Sequence, residues 1–138
     1  TLMCWGIAVG DGWYNIIDTL CHQIQQYCDE PHKSIVSYRK WLDEAKEKGD
    51  ELWASTCQER LDKAIETAKN RPQVEAVQVK EKYGSLCFYV NHYDENIRTM
   101  IDFAEEMSYC TCEKCGSPGK PTTGGWIKVE CSRCKGEI

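Results

Sequence analysis

Four of the ten cysteines in this 138-residue chain are spaced to grip one metal ion. Cys112-Glu113-Lys114-Cys115 and Cys131-Ser132-Arg133-Cys134 are two C-x2-C pairs separated by fifteen residues. Two intervening residues let a tight turn aim both sulfurs of a pair at one point. Two such knuckles then present four thiolates as a tetrahedron, the spacing of a zinc ribbon. Gly116 directly follows the first pair and Gly136 follows the second at one remove, where left-handed backbone is needed. The expected cofactor is one structural Zn2+ on Cys112, Cys115, Cys131 and Cys134. The competing chemistry is two disulfides. It suits small secreted scaffolds, which lack long amphipathic helices. A catalytic zinc is disfavoured because four cysteines leave no position for water.

The other cysteines carry less information. Cys21, Cys28 and Cys57 fall on apolar helical stripes and Cys87 in a strand, where a thiol packs as a small hydrophobe. Cys4 and Cys110 are unassigned, and Cys4, Cys57 and Cys110 are the thiols an enzyme reading would use. His22, His32 and His92 are brought together by no pattern, and no GxxxxGK[ST] or GxGxxG loop occurs. The expectation is therefore a protein that is not an enzyme. Two polar-aromatic clusters remain as ligand-binding candidates. One is Asp11, Trp13 and Tyr14 in Gly10-Asp11-Gly12-Trp13-Tyr14, where the free amides of a helix start favour an anion. The other is Lys80, Lys82 and Tyr83 at a hairpin tip, suited to a phosphate and a stacked base. An ordinary helix start and a solvated turn are the plainer explanations of both.

These groups must be held by something. Apolar residues from Trp13 to Cys28 recur every three or four positions, which predicts a helix starting at Gly10-Asp11-Gly12, with Asp11 as its cap. Proline disfavours helix in the residue before it, so this helix is predicted to end at Asp29-Glu30-Pro31. A second helix is predicted over 34–48, with Gly49 closing it. A third, capped by Asp50, ends at Asn70-Arg71-Pro72, and the pair reads as an antiparallel helical hairpin. The period then changes to near-alternation over 74–82 and 85–91, a β-hairpin turning at Tyr83-Gly84. Asp94 caps a fourth helix with Ile97, Ile101, Ala104 and Met107 inward. The fold class is thus α+β, amphipathic helices on a small antiparallel hairpin, with a C-terminal zinc ribbon. The expected division is an α+β domain over 1–109, with 34–71 a helical hairpin that reads as an insertion, and a ribbon module over 110–138.

Charge narrows the partners. The chain carries a formal −5, of which −4 lies in 94–109, and only 110–138 is basic, at +2. Four thiolates and a divalent ion sum to −2 and cancel even that. Bulk coating of nucleic acid needs a denser cationic face, so nucleic acid is the weaker partner, with Lys128, Arg133 and Lys135 as its contacts. No apolar run is long enough to span a membrane. Thr1-Leu2-Met3-Cys4-Trp5-Gly6 has neither the charged nor the apolar region of a signal peptide, and the chain is expected to begin a residue or more into its reading frame. Unpaired thiols in this number point to a reducing cytoplasm.

Three blocks together resemble a group of small proteins often encoded by bacteriophages and prophages: GDGWYNIIDTL at 10–20, VKEKYGSLCFYV at 79–90, and AEEMSYCTCEKCGSPG at 104–119 leading to CSRC at 131–134. A GDGW helix start, a KEK-aromatic-G hairpin and a zinc ribbon occur there in this order. Such proteins often carry arginine where this chain has Cys87. The resemblance assigns no catalytic residue. It implies an accessory protein that acts stoichiometrically against a host factor, as a counter-defence inhibitor that blocks a host protein or sequesters a nucleotide signal. The alternative is a zinc-ribbon protein that binds nucleic acid or modulates transcription.

Overall fold

Asp50 and Asp94 are short acidic side chains placed just before amphipathic stretches, and each caps a helix by accepting from the amide three residues on, Trp53 at 3.0 Å and Ile97 at 2.9 Å. The computed structural model describes Cys4 and residues 6–137. The remainder of the stretch considered for a signal peptide lies outside the described residues. The elements are β1 (Ile7–Ala8), a 3-10 turn (Asp11–Trp13), α1 (Tyr14–Glu47), α2 (Glu51–Asn70), β2 (Ala76–Lys82), β3 (Ser85–Val90), α3 (Glu95–Ser108), β4 (Lys120–Pro121), β5 (Val129–Glu130) and α4 (Ser132–Lys135). The fold class is α+β with a ribbon-like C-terminal site. Among the described residues no helix is long and apolar enough to cross a membrane. The chain divides into two compact units, Thr1–Ile24 with Val74–Ile138, and Gln25–Gln73. Residues 110–138 thus fall in the same unit as the first helical turns and the hairpin, rather than forming a unit of their own.

In the first unit β2 lies between β1, parallel to it, and β3, antiparallel to it. β1 is only two residues long, and nothing in its composition announces it. β3 is an edge strand, and its outward amides would otherwise meet no partner. Side chains of α3 supply one: Leu86 N–H donates to Ser108 Oγ at 3.0 Å and Phe88 N–H to Glu105 Oε1 at 3.0 Å. Burial pushes the Glu105 carboxyl up, with the Phe88 amide pulling against it. Trp13, Val79, Leu86, Ser108, Cys112 and Val129 are essentially sealed from solvent, so a ribbon cysteine and a ribbon valine belong to the unit's core.

In the second unit the later part of α1 and α2 form the helical hairpin around Leu42, Cys57 and Leu61, flanked by Ile35, Tyr38, Ala54 and Ile65. Gly49 turns the chain at φ +69°. The two helices predicted over 13–28 and 34–48 are one, because α1 runs through Pro31 without a break. Proline has no N–H, so the carbonyl four residues back, that of Tyr27, loses its helical donor. Arg71, just beyond α2, replaces it. Its Nη1 donates to Tyr27 O at 2.9 Å and to Glu30 Oε2 at 2.8 Å, and its guanidinium lies 3.8 Å over the Tyr27 ring. The lost bond is restored from outside the helix, so the helix does not stop.

Arg71→Ala should therefore destabilise the protein by about 1.5–3 kcal/mol, the range for a hydrogen bond to a charged group. In a Pro31→Ala background, where an amide returns, the same change should cost about 1 kcal/mol less or better, as a double-mutant cycle by urea unfolding would read. Equal costs in the two backgrounds would contradict the substitution of donor for donor.

Candidate metal centre

The first knuckle is shaped by its own backbone. Gly116 N–H donates to Cys112 O at 2.8 Å and Cys112 N–H to Ser117 O at 2.7 Å, and Gly116 takes φ +76°. The second is built on α4, where Cys131 is the N-cap and its Sγ accepts from Cys134 N at 3.4 Å. Gly136 closes that turn at φ +79°. Glu113 N–H donates to Val129 O at 3.0 Å, which ties the first knuckle to β5. As a result the four Sγ atoms of Cys112, Cys115, Cys131 and Cys134 lie within 4.8 Å of one another.

Those distances discriminate between the two chemistries. Cys115 Sγ and Cys131 Sγ are 3.6 Å apart, far beyond the roughly 2.05 Å of a disulfide. Sulfurs at about 2.3 Å from a tetrahedral centre sit about 3.8 Å from each other. The ten cysteines are all free of disulfides. The cluster can thus hold one metal ion, and its all-thiolate donor set fits a soft or borderline divalent cation.

Electrostatics point the same way. Hydrogen bonds from the Ser117 hydroxyl and amide hold the Cys115 thiol down at about 5. Burial raises Cys112, but amides of Cys131, Cys115 and Lys114 outweigh it and leave it lowered. Cys134, sharing hydrogens with Cys115 and Cys131, is pushed up to about 12. Four sulfurs this close cannot all ionise unaided, and a cation is what allows it. Arg133 is drawn to this charge, hydrogen-bonding Cys115, which raises its own pKa. Lys114 pairs with Glu130 at 2.6 Å and reaches Cys134 O at 3.5 Å. Of the cations considered for phosphate contact, Arg133 is thus engaged by sulfur and Lys135 by Glu137 at 3.2 Å. Among the described residues Lys128 has neither a carboxylate at ion-pair distance nor a sulfur partner.

The candidate cluster at Gly10-Asp11-Gly12 faces this site and is explained by it. Gly10 N–H donates to Glu113 Oε1 at 3.0 Å and Gly12 N–H to Glu113 O at 2.7 Å. A Cβ on Gly12 would overlap the Cys112 carbonyl and fall 2.5 Å from Gly116 N and 2.6 Å from Glu113 O. Trp13 is fully buried, and its Nε1–H donates to Thr111 O at 2.8 Å. The anion expected at this helix start is the chain's own Glu113, and Trp13 is a core residue rather than a stacking surface. Asp11 is exposed and the cap position belongs to Gly10, so the capping role expected of Asp11 is not realised. Tyr14 is half exposed.

Of the second cluster, Lys82 and Tyr83 lie together at the tip, and Lys80 lies back along β2, opposite Cys87. Tyr83 and Gly84 form a two-residue turn, both left-handed at φ +52° and +79°. Lys82 Nζ lies 5.7 Å over the Tyr83 ring and Lys80 Nζ 5.8 Å over that of Tyr89. Cys110 is exposed, with its thiol donating to Met107 O at 3.3 Å, outside the sulfur cluster. Cys4 is exposed, Cys28 and Cys57 are buried, and Cys21, expected in the core, is exposed. Partial burial and the nearby Asp18 raise the Cys21 thiol. His22, His32 and His92 are all exposed.

What sequence reasoning missed is an open apolar cleft. It has a volume of about 600 Å³ and lies between α1, at Ile16, Thr19 and Leu20, and α3, at Met100, Phe103 and Met107. Met107, expected inward, lines its mouth. The available signal was Phe103, an aromatic on what reads as the acidic outer face of α3. No protein-family model, curated protein or solved structure matches the chain.

Gly12→Ala should cost about 3 kcal/mol or more, or prevent folding, because the added methyl meets backbone that cannot turn aside. Gly124→Ala has open space around it and should cost only about 1 kcal/mol, for its left-handed φ of +78°. Thermal melts of the metal-loaded proteins would compare them. Metal binding at pH 7 should release at least one proton, from Cys134, and fewer than four, since Cys115 is already a thiolate. Because the Cys115 pKa is lowered, its contribution is present at neutral pH and is lost as pH falls through about 5. Calorimetry in buffers of different ionisation heat counts the protons.

Proposed function

We propose that the four cysteines hold one structural Zn2+ and that the chain is a non-enzymatic binding protein, working in a cytoplasm by stoichiometric blockade of a protein partner. Four thiolates close a zinc coordination shell and favour zinc over magnesium, calcium or manganese. The phage-type resemblance of the sequence fits an inhibitor that acts by occupancy.

One observation carries the choice of a protein target: the cleft between α1 and α3. Residues 15, 16, 19, 20 and 23 of α1 and 99, 100, 103, 104 and 107 of α3 line it. That is one continuous stripe on each helix, a two-helix groove with room for a third. Phe103 is 70% exposed beside it and Met107 is 40% exposed. An open apolar surface of this kind marks an interaction site. Exposed Asp18, Glu95, Asp102 and Glu106 flank the stripes, against Arg98. The occupant that matches is an amphipathic helix with an apolar face bordered by lysine or arginine, contributed by the partner.

The test uses a pair of synthetic helical peptides of leucine with either lysine or glutamate. The lysine peptide should bind and shift the NMR resonances of Met100, Phe103 and Met107, more weakly as salt rises. The glutamate peptide should not bind, and Phe103→Asp should abolish the effect without unfolding the protein. Equal binding of the two peptides, or shifts confined to another surface, would overturn the assignment. The metal is tested separately: isolation from zinc-replete cells should give one zinc per chain by elemental analysis, and sulfurs found oxidised in pairs would remove it.

A further inference from the structure

The hairpin tip and the ribbon loop abut. A Cβ built on Gly84 would stand 2.6 Å from Ile127 Cγ2, so the turn residue must be glycine for the loop to lie against it. Each side of this contact displays an aromatic ring next to it in sequence. Tyr83 is 75% exposed and Trp126 is 76% exposed, the largest exposures of any aromatic in the described residues. Tyr83 is presented by strained backbone and Trp126 by a glycine turn. Tyr83 occupies a left-handed position that Asn, Asp or Gly fills at less cost, and Trp126 follows two left-handed glycines, Gly124 and Gly125. Strain accepted in order to hold an aromatic in water is the mark of a contact surface rather than of packing.

The charges around these rings are mixed in sign, and the carboxylates are already engaged. A cleft of about 280 Å³ is lined by Glu81, Glu113, Lys114, Trp126, Lys128 and Glu130 among others. Each carboxylate in it already has a partner: Glu81 accepts from Gly84 N at 2.7 Å, Glu113 from Gly10 N at 3.0 Å, and Glu130 pairs with Lys114 at 2.6 Å. Lys128 and Lys82 have no carboxylate within ion-pair distance among the described residues. The surface therefore offers two exposed rings and two ammonium groups outside any ion pair, Lys82 lying 5.7 Å over one face of Tyr83 and Lys128 within electrostatic reach of Glu130. We infer that Tyr83 and Trp126 are stacking platforms for unpaired nucleobases, with Lys82 and Lys128 taking the adjoining phosphates. The chemistry recognised is a nucleobase joined to phosphate, from a single strand or a free nucleotide. This site is distinct from the cleft between α1 and α3 and does not depend on it.

The experiment titrates the zinc-loaded full chain with a short oligothymidylate at low salt and with uridine monophosphate, following tryptophan fluorescence. The expected result is quenching that Trp126→Phe largely removes. Tyr83→Ala should weaken binding by roughly fivefold or more, as for loss of one stacked base. Lys128→Gln should lower the slope of affinity against salt by about one phosphate. Tyr83→Asn separates binding from folding: it relieves the turn, so the protein should melt no lower while binding falls. An oligomer that binds at least about tenfold tighter than the mononucleotide identifies a strand as the source, and equal affinity identifies a free nucleotide. Absence of quenching by either ligand, or binding that the Trp126 and Tyr83 variants leave unchanged, would overturn the inference. Binding of the lysine peptide in place of either nucleotide ligand at Trp126 would overturn it too.

Discussion

The fit of a glycine turn into a cysteine knuckle is the constraint on which the first unit depends. Gly12 N–H reaches the Glu113 carbonyl at 2.7 Å, and nothing larger than hydrogen fits between them. This contact joins residues about a hundred positions apart, so its loop-closure cost is high unless both partners are pre-shaped. The knuckle is pre-shaped by its own backbone hydrogen bonds, which a metal on its sulfurs would reinforce, and the turn by its two glycines. Trp13 then follows directly into the core, anchored by its indole N–H on Thr111 O. A ribbon of fewer than thirty residues cannot form a core alone, and here it borrows one. In return Cys112 and Val129 become core residues of the α+β unit.

Much of this architecture was legible in the sequence, and the reasons are local. Asp50 and Asp94 cap as their spacing says, Gly49 turns where the stripe ends, and Tyr83-Gly84 joins β2 to β3. The two C-x2-C pairs specify a site because knuckle geometry is encoded within four residues. What was not legible depends on distant partners. β1 is a strand only because β2 offers it an edge. Gly10-Asp11-Gly12 reads as a helix start with vacant amides, yet the acceptor that fills two of them, Glu113, lies far along the chain. The same distance hides the burial of Trp13. A lone tryptophan after a glycine carries no local mark that tells a core anchor from a stacking surface.

Pro31 shows the other limit of local reading. A proline after Asp29-Glu30 ends most helices, and the rule is sound for the isolated segment. Here the helix continues because Arg71 supplies the missing donor, while its cation rests on the ring of the residue it serves, Tyr27. The same arginine was read only as part of the stop signal after α2. Exposed as it is, the Glu30 partner adds little by itself. The carbonyl bond is what matters, since a hydrogen bond from a charged donor is worth more than an exposed ion pair.

The distribution of cations around the ribbon follows from the charge of the site it encloses. Four thiolates on a divalent ion would leave a net −2, and this field would act at short range on whichever cations are nearest. Arg133 answers it directly at Cys115, and Lys114 lies against Cys134 while paired with Glu130. These groups neutralise the centre instead of projecting from it. A count of basic residues in the tail therefore overstates what it offers an anionic partner. Of the tail cations left over among the described residues, Lys120 and Lys128, the second lies in a cleft that also holds the exposed Trp126. Lys128 is thus placed where the ribbon loop meets the hairpin tip, not where the basic residues are densest in the sequence.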